Sequence, residues 1–321
     1  MTKAFDGSSI LITGGTGSFG RSFVRTVLAE SNPTRLAVYS RDELKQFEMR
    51  QEFPIDRYPN LRFFIGDGRD RDRLYRALDG VDYVVHAAAL KRIETCAYNP
   101  FEAVQTNVVG SQNVVMASLE ARVARAMLVS TDKAVEPVNL YGATKLTAER
   151  IFLAGSVYGG ATALAVVRYG NVLGSRGSVV QRWQQQAARG EPITVTNKTA
   201  TRFWITLPQA VSFVLLSLER MADGDVFVPA LPACSVGSLV EAFGVGARVV
   251  ETGLGPEEKL HETLIASGAS AGRVGDARHG DFYMLGARKH GAPFVGPLSS
   301  NHVEWVLPEV LRQAFALVEQ A

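Results

Sequence analysis

Six short runs of apolar residues alternate with longer segments of helical composition through the first half of the chain. The runs read SSILITGG, RLAVYSR, LRFFIGD, VDYVVHAAA, ARAMLVST and TALAVVRYG. Near-continuous apolar strands that alternate with helices are typical of a parallel sheet covered by helices on both faces. The pattern therefore predicts an α/β fold with a doubly wound parallel sheet over residues 1–170.

Beyond Gly170 the pattern loosens into Gly- and Pro-containing stretches such as GNVLGSRGSVV and TGLGPEEKLHE, with helical segments between them. We expect a smaller α/β substrate-binding lobe over residues 171–321, partly interwoven with the first domain. Because no long polar linker separates the two parts, they should share a hydrophobic interface. We interpret EKLHE as a helix that carries His261 on its surface.

The composition is that of an ordinary globular enzyme or binding protein, with 321 residues, 46% hydrophobic and 21% charged. Lys and Arg number 34 against 32 Asp and Glu, and the charges are interspersed, so no nucleic acid partner is expected. Cys96 and Cys234 lie far apart without histidine partners, which favours neither a disulfide framework nor a metal site and predicts a cytoplasmic location. No apolar run reaches the roughly 18 residues that span a bilayer, so no membrane association is expected.

A glycine-rich segment, ITGGTGSFG, follows the first predicted strand and precedes the first predicted helix. Gly14, Gly17 and Gly20 recur there at every third position. Glycines so placed permit a tight turn, let the backbone approach a pyrophosphate and seat the helix whose N-terminal amides bind it. The segment predicts an NAD(P)-binding Rossmann domain over residues 1–170 rather than a merely structural turn.

The end of the second predicted strand indicates which dinucleotide is bound. Ser40 and Arg41 stand where an acidic residue would hold the ribose of NAD, and Asp42 follows. An arginine can pair with a 2′-phosphate, so NADP is favoured. NAD stays possible if Arg41 stacks on the adenine and Asp42 turns to the ribose. Asp67, in GDGRD, could read the adenine edge, although aspartate at this place is also a common helix cap.

One short segment, STDKAVEPVNLYGATK, carries four ionisable side chains of different basicity. Tyr141 and Lys145 are four residues apart, so they share one face of a helix. A nearby ammonium lowers the pKa of a phenol, and Tyr141 could then take a hydroxyl proton while a hydride leaves for the cofactor. The alternative is that Tyr141 packs and Lys145 is solvated. The preceding dinucleotide segment and a strand ending in Ser130 favour the catalytic interpretation.

Longer matches make the chain similar to the extended short-chain dehydrogenase/reductases, and within them it resembles the inverting UDP-N-acetylglucosamine 4,6-dehydratases. The matching segments cover nearly the whole chain and are LITGGTGSFG, SRDELKQFEM, HAAALKRIETCAYNPFEAVQTNVVG, STDKAVEPVNLYGATKL, VRYGNVLGSRGSVV, TRFWITL and EKLHE. The resemblance implies a two-domain fold, a tightly held NADP(H) or NAD(H) that is regenerated in each turnover, and a homo-oligomer.

The resemblance also implies the catalytic roles. Thr131, Asp132 and Lys133 would supply the acid and base of an elimination, while Tyr141 and Lys145 would serve the oxidation. Oxidising C4 of a sugar makes the C5 proton acidic, so Lys133, if neutral, can take it, and Asp132, if protonated, can give a proton to the departing C6 hydroxyl. Returning the hydride to C6 yields a 4-keto-6-deoxy sugar. The alternative is that Asp132 and Lys133 form only an ion pair.

Further positions match binding residues of the family. The expected cofactor contacts are Gly14, Thr16, Gly17, Ser18, Phe19, Gly20, Ser40, Arg41, Asp67, Gly68, Ala87, Ala88, Ala89, Lys91, Asn107, Tyr141 and Lys145. The expected substrate contacts are Lys91, Asn171, Arg176, Ser178, Arg202 and Glu258. Arg176 could instead order a loop, and Arg202 could form an interface ion pair. His86, before three alanines, is expected to pack beside the sheet.

One departure from the family pattern concerns the substrate. The family reads RPGEKLHE where this chain reads GPEEKLHE, so Gly255 replaces an arginine that the resemblance places at the substrate diphosphate, and Glu257 adds an anion. Losing charge-assisted hydrogen bonds weakens phosphate binding.

The leading hypothesis is an NAD(P)-dependent UDP-N-acetylglucosamine 4,6-dehydratase. One alternative is the same oxidation and elimination on a sugar without diphosphate, such as a nucleoside, which would give a 5,6-alkene. A non-catalytic NADP-sensing protein is a remote alternative.

Overall fold

The computed structural model describes most of the chain. The described residues are 3–158, 160–175, 177–244, 248–286, 292–303, 305–306, 309 and 311–312. Arg176, one of the expected substrate contacts, lies outside them. Among the residues described, no helix is both long enough and apolar enough to cross a membrane.

All six strands predicted in the first half are confirmed, and they pair in parallel in the spatial order β6-β5-β4-β1-β2-β3. Their bounds are β1 Ser9–Thr13, β2 Arg35–Ser40, β3 Leu61–Ile65, β4 Tyr83–His86, β5 Arg125–Thr131 and β6 Ala163–Tyr169. The helices of this half are α1 Ser18–Glu30, α2 Glu43–Glu52, α3 Arg71–Ala77, α4 Ile93–Tyr98, α5 Pro100–Val104, α6 Gly110–Glu120 and α7 Leu140–Ala154. Short 3-10 turns cover Lys3–Phe5, Asp132–Ala134 and Gly155–Tyr158, and a π-helical turn covers Gln105–Val109.

In the part of the second half that the structure describes, shorter strands alternate with three helices. These helices are α8 Val179–Ala188, α9 Leu207–Arg220 and α10 Val236–Phe243. The strands are β7 Asn171–Leu173, β8 Ile193–Val195, β9 Thr201–Thr206, β10 Val226–Pro229, β11 Ala233–Ser235, β12 Val249–Glu251, β13 Thr263–Ile265, β14 Ser270–Val274, β15 Phe282–Leu285, β16 Ala292–Val295 and β17 Leu298–Ser299.

Strands from the second half extend the first sheet. Strand β10 pairs in parallel with β6, and β15, β14 and β16 then add antiparallel partners, which gives ten strands in the order β16-β14-β15-β10-β6-β5-β4-β1-β2-β3. The smaller sheets β11-β9-β7, β12-β8 and β13-β17 lie apart from it. The chain thus crosses the expected boundary near residue 170 more than once, and the division into residues 1–170 and 171–321 stays a prediction.

The core forms two layers because successive strand residues point to opposite faces of the sheet. Ile10 and Ile12 of β1 belong to one buried cluster, with residues of α1 and α9, whereas Leu11 belongs to the other, with residues of α6 and α7. A third cluster around Trp183 and Trp204 fills the part of the chain that surrounds α8 and α10. The near-continuous apolar strands of the first half follow from this burial on both faces.

The EKLHE segment is not a helix, so that interpretation was wrong. His261 forms an isolated parallel bridge with Thr201, whose hydroxyl lies 2.8 Å from His261 Nδ1. The residues just after it enter β13, which pairs with β17. A short helix there would leave these backbone groups without the strand partners they have in this fold, so tertiary pairing overrides the local helical composition.

Candidate active site

A cleft of about 670 Å³ opens at the carboxyl ends of β1 to β6, where parallel α/β sheets place their ligands. Most of the expected site residues line it, namely Gly14, Thr16, Gly17, Ser18, Phe19, Gly20, Ser40, Arg41, Asp67, Gly68, Ala87, Ala88, Ala89, Lys91, Thr131, Lys133, Tyr141, Lys145, Asn171 and Ser178. The fold therefore brings together residues that are scattered over most of the sequence.

The glycine-rich loop needs glycine for steric reasons. Gly14 has a φ of +66°, and a Cβ on it would lie 2.8 Å from the backbone nitrogen of Ala88. A Cβ on Gly20 would lie 2.4 Å from the Cα of Gly15. Gly17 is the N-cap of α1 and has no side chain that could cap the helix, and Gly17, Ser18, Phe19 and Gly20 all line the cleft. NAD or NADP is the cofactor class that such a loop and helix N-terminus accept.

Charged groups beside β2 and β3 shape the adenosine end of the cleft. Arg41 is half exposed, and its Nη1 lies 3.6 Å from Asp67 Oδ2. Burial tends to raise the pKa of Asp67, but hydrogen bonds from Arg69 and the charge of Arg41 outweigh it and lower that pKa. Asp67 is therefore a carboxylate, and Arg41 keeps donors free to turn toward the cleft because the 3.6 Å pairing engages only one of its nitrogens.

Tyr141 and Lys145 lie one turn apart on α7, both in the wall of the cleft. Burial raises the pKa of Tyr141 to about 12, against the opposing effects of the Lys133 charge and a hydrogen bond from Thr131. Burial lowers the pKa of Lys145 to about 8, although the Glu149 carboxylate opposes this shift. Lys145 Nζ donates to the Val129 carbonyl oxygen at 2.8 Å, which anchors the lysine to β5.

The helix α7 packs directly on the turn that holds the acid and base. A Cβ on Gly142 would lie only 2.2 Å from the Lys133 carbonyl oxygen. On the other side, Asn107 accepts from the Leu90 amide at 2.8 Å and donates to Thr144 Oγ1 of α7 at 3.0 Å. Asn107 is 1% exposed and does not line the cleft, so it braces α7 rather than touching the cleft.

Lys133 lies in a cluster of four charges. Its Nζ lies 3.0 Å from Asp132 Oδ1 and 3.3 Å from Glu262 Oε1, and Arg202 Nε lies 4.0 Å from the same glutamate oxygen. Burial alone would lower the pKa of Lys133, but Asp132 and Glu262 outweigh it and raise that pKa. The two carboxylates therefore favour the ammonium form of Lys133, whereas its role as a base requires the neutral amine.

Three expected contacts lie beside the cleft rather than in its wall. Asp132 is fully buried behind Lys133. Arg202 and Glu258 line a second, smaller cavity that adjoins Lys133. Glu262, which also lines this cavity, was missed by sequence reasoning, and the one available signal was an acidic residue placed directly before the strand β13.

The loop after Lys133 is held by the second half of the chain. Asn139 Nδ2 donates to the backbone carbonyl of Glu257 at 3.0 Å, and Lys259 Nζ donates to the backbone carbonyl of Val135 at 2.6 Å. A Cβ on Gly255 would meet no atom within 4 Å, so the position of the missing arginine borders open space. These contacts join the active-site loop to the segment in which the chain departs from the family pattern.

His86, at the end of β4, is buried and borders the cleft. Its Nδ1 lies 2.7 Å from Thr13 Oγ1 and its Nε2 lies 3.1 Å from Ser111 Oγ, and the ring stacks on Phe152. Burial, together with the charge of Lys145, lowers the pKa of His86 to about 3. These contacts agree with the expectation that His86 packs beside the sheet.

Comparison with known families identifies the chain. The model of a family described as "Polysaccharide biosynthesis protein" matches residues 10–283. The chain belongs to this family. An inverting UDP-N-acetylglucosamine 4,6-dehydratase of Campylobacter jejuni subsp. jejuni serotype O:23/36 (strain 81-176) is 45% identical to this chain over 82% of this chain and 79% of the relative. The resemblance to these dehydratases is thereby confirmed.

Two further proteins that are similar to this chain widen the comparison. A UDP-glucose 4-epimerase of Rickettsia canadensis (strain McKiel) is 38% identical over 88% of this chain and 83% of the relative. The X-ray structure of Pen from Bacillus thuringiensis superposes with a TM-score of 0.91, at 35% identity and 99% coverage of each chain. The predicted α/β fold with its Rossmann sheet is confirmed by this structural match.

Proposed function

We propose that the protein is an NAD(P)-dependent nucleotide-sugar 4,6-dehydratase whose substrate is UDP-N-acetylglucosamine. The observation that carries the proposal is the presence, in one cleft, of a Tyr-Lys oxidation pair and of an acid-base cluster at Lys133, next to a dinucleotide-binding loop. The similarity to the Campylobacter jejuni enzyme over most of the chain supports the substrate. A non-catalytic NADP sensor would have no use for both sets of side chains.

The first step is oxidation at C4 of the sugar. NAD(P)⁺, when bound, supplies the hydride acceptor. Tyr141 takes the proton of the C4 hydroxyl, and Lys145 lowers the energy of the phenolate by its positive charge. Because burial raises the pKa of Tyr141, the residue needs this charge, and Lys145 is held one helical turn away on the same face of α7. Thr131 supports the phenol with its hydrogen bond.

The second step is elimination of water across C5 and C6. Lys133 takes the C5 proton, which the C4 ketone has made acidic, and Asp132 gives a proton to the C6 hydroxyl as it leaves. When the cofactor is bound, its hydride would return to C6 and Lys133 would give a proton back to C5, which yields a 4-keto-6-deoxy sugar. The proposal requires Lys133 to pass on one proton before it can act as a base, because it is an ammonium in the described site.

The remaining assignments rest on position around the cleft. Lys91, Asn171 and Ser178 line the cleft and would contact the sugar nucleotide, while Arg202 and Glu258 would approach it from the adjoining cavity. Arg41 and Ser40 at the end of β2 favour NADP over NAD. We propose further a homo-oligomer in the cytoplasm, by analogy with the family. A nucleoside substrate is the weaker alternative, since it depends only on Gly255 and Glu257.

A 4-epimerase is the second candidate, because the Rickettsia canadensis relative is a UDP-glucose 4-epimerase. Epimerisation at C4 needs the oxidation and a return of the hydride to the opposite face of C4, but no base at C5 and no acid at C6. The cluster of Asp132, Lys133 and Glu262 has no task in that reaction. It therefore favours dehydration.

The test is incubation of the purified protein with UDP-N-acetylglucosamine in deuterated water, followed by mass spectrometry and proton NMR. A dehydratase releases water and gives a product with one deuterium at C5. A C4 epimer without loss of water would instead establish the second candidate. No turnover by protein that demonstrably holds its cofactor would refute the proposed substrate, and nucleosides would be tried next.

A further inference from the structure

Lys133 separates two spaces. One side of it faces the main cleft, and the other faces a second cavity of about 90 Å³, which Asn139, Arg202 and Glu262 also line. A polar cavity of this size has room for water molecules. The amine that would act at C5 of the sugar is therefore reached from two directions.

Glu262 is held firmly in the wall of the second cavity. Its backbone nitrogen donates to Ser300 Oγ at 2.9 Å, and its carbonyl oxygen accepts from the Ser300 amide at 2.9 Å. The residue is 3% exposed. Its Oε1 lies 3.3 Å from Lys133 Nζ, whereas its Oε2 is buried and has no hydrogen-bond partner among the described residues.

A buried carboxylate that only stabilises the fold normally has both oxygens paired, because an unpaired polar atom costs its full desolvation free energy. Glu149 shows this arrangement in the same protein: its two oxygens accept from Arg168 at 3.1 and 2.6 Å, and Ser130 donates to one of them. Glu262 differs, since its contact with Arg202 is 4.0 Å long and one oxygen is left over. Asp132 Oδ2 is also buried without a partner among the described residues, but of the two carboxyl groups Glu262 is the one that lines a cavity. The unpaired oxygen and the cavity together point to a carboxyl group that changes its proton.

Lys133 needs such a partner. Lys133 Nζ donates to Asp132 Oδ1 at 3.0 Å and to Asn171 Oδ1 at 3.1 Å, and it lies 3.3 Å from Glu262 Oε1 in an ion pair. An ammonium has no lone pair and cannot take a proton from carbon. Asp132 can accept one proton, but the proposed mechanism uses that proton at the departing C6 hydroxyl, so Lys133 needs a second acceptor that exchanges with solvent.

We propose that Glu262 accepts the proton of Lys133 and exchanges it with solvent through the second cavity. This inference rests on the proposed dehydratase function. In the step, one N–H bond of the Lys133 ammonium breaks and an O–H bond forms on Glu262, which leaves a neutral amine and a neutral carboxylic acid. The amine then takes the C5 proton. The carboxylic acid releases its proton to water in the cavity, which restores the carboxylate, and no oxidant or reductant is consumed.

The test compares two rates in the same sample of holoenzyme during a single turnover of UDP-N-acetylglucosamine in deuterated water. The rate of nicotinamide reduction, read by absorbance, reports oxidation at C4, and deuterium at C5, read by NMR, reports proton exchange at Lys133. For Glu262→Gln we expect the ratio of C5 deuteration to C4 oxidation to fall about 100-fold or more, the usual contribution of a positioned proton-transfer group. Because both rates come from one sample, partial loss of folded protein leaves the ratio unchanged.

Glu136→Gln is the matched control, because it makes the same chemical change at an exposed residue of the loop after Lys133 that lines neither the cleft nor the second cavity. We expect its ratio to stay near that of the wild type. An unchanged ratio in Glu262→Gln, or an equal fall in both variants, would overturn the inference. If the wild type neither reduces its cofactor nor removes water from this substrate, the proposed function is refuted and the inference is refuted with it. An unchanged ratio in an active Glu262→Gln variant, in contrast, refutes the inference alone.

A second variant keeps the inference testable if Glu262→Gln does not fold. Val138 lines the second cavity and is half exposed, so Val138→Phe would fill the cavity without touching the charges at Lys133. We expect it to slow C5 deuteration while C4 oxidation keeps its wild-type rate. If Val138→Phe deuterates C5 and oxidises C4 at the same rates as the wild type, the route through the cavity is refuted.

Discussion

Replacing Gly142 by alanine should disable the site while leaving every ionisable group in place. The new Cβ would lie 2.2 Å from the Lys133 carbonyl oxygen, so helix and turn must separate by about 1 Å to reach an ordinary contact. Both atoms belong to backbone, and no flexible side chain can absorb the shift. A displacement of about 1 Å in a catalytic constellation can cost 10²-fold in rate, and overpacking costs about 1–3 kcal/mol of stability.

The assay for Gly142→Ala is kcat for dehydration together with the free energy of unfolding in urea. Gly110→Ala is the matched control, since Gly110 also lies in a helix but its Cβ would stay 3.7 Å from the nearest atom. That variant should keep its kcat and gain about 0.4–1 kcal/mol of stability. Wild-type kcat in Gly142→Ala would refute the argument that α7 and the Lys133 turn are in fixed contact.

Two further predictions concern a buried amine and the cofactor. The pKa of Lys145 is lowered to about 8 in the folded protein. Between about pH 8 and the ordinary pKa of a lysine, the unfolded chain therefore binds more protons than the folded one. The free energy of unfolding rises with pH over this range. Lys145→Met should therefore be more stable than the wild type at pH 7, with a difference in melting temperature that shrinks by pH 9.5; a constant difference would contradict the buried amine. Arg41→Ala should weaken NADPH binding about 10- to 100-fold, as expected for lost charge-assisted hydrogen bonds, and leave NADH binding nearly unchanged in a fluorescence titration. Equal losses for both dinucleotides would exclude the 2′-phosphate contact.

The first half of the fold could be predicted from the sequence because strands that are buried on both faces of a sheet consist almost entirely of apolar residues. Each residue of β1 is buried, and the strand reads as an uninterrupted apolar run apart from its ends. The glycine loop could be predicted for a related reason, since Gly14 has a positive φ and a Cβ on Gly20 would meet Gly15 of the same loop. Local sequence is sufficient to predict a segment whose conformation is set by its own backbone and near neighbours.

The second half could not be predicted to the same extent. Its strands are short, and β13 pairs with β17 rather than with a neighbour in sequence, so the helical composition of EKLHE was misleading. The charge state of Lys133 was missed for a related reason. Glu262 lies far from it in sequence, and only the folded chain brings the carboxylate to 3.3 Å. The pKa of a buried amine depends on such neighbours as much as on burial itself.

Two hydrogen bonds join the loop after Lys133 to the segment that follows Gly255. In both of them the acceptor is a main-chain carbonyl oxygen. Asn139 and Lys259 bind the carbonyl oxygens of Glu257 and Val135, and no substitution at Glu257 or Val135 removes a carbonyl group. Side chains around the substrate can therefore vary over evolutionary time without releasing the loop that carries the base. This separation allows an enzyme of this type to change side chains near the substrate, as at Gly255 and Glu257, while its oxidation and elimination residues keep their places.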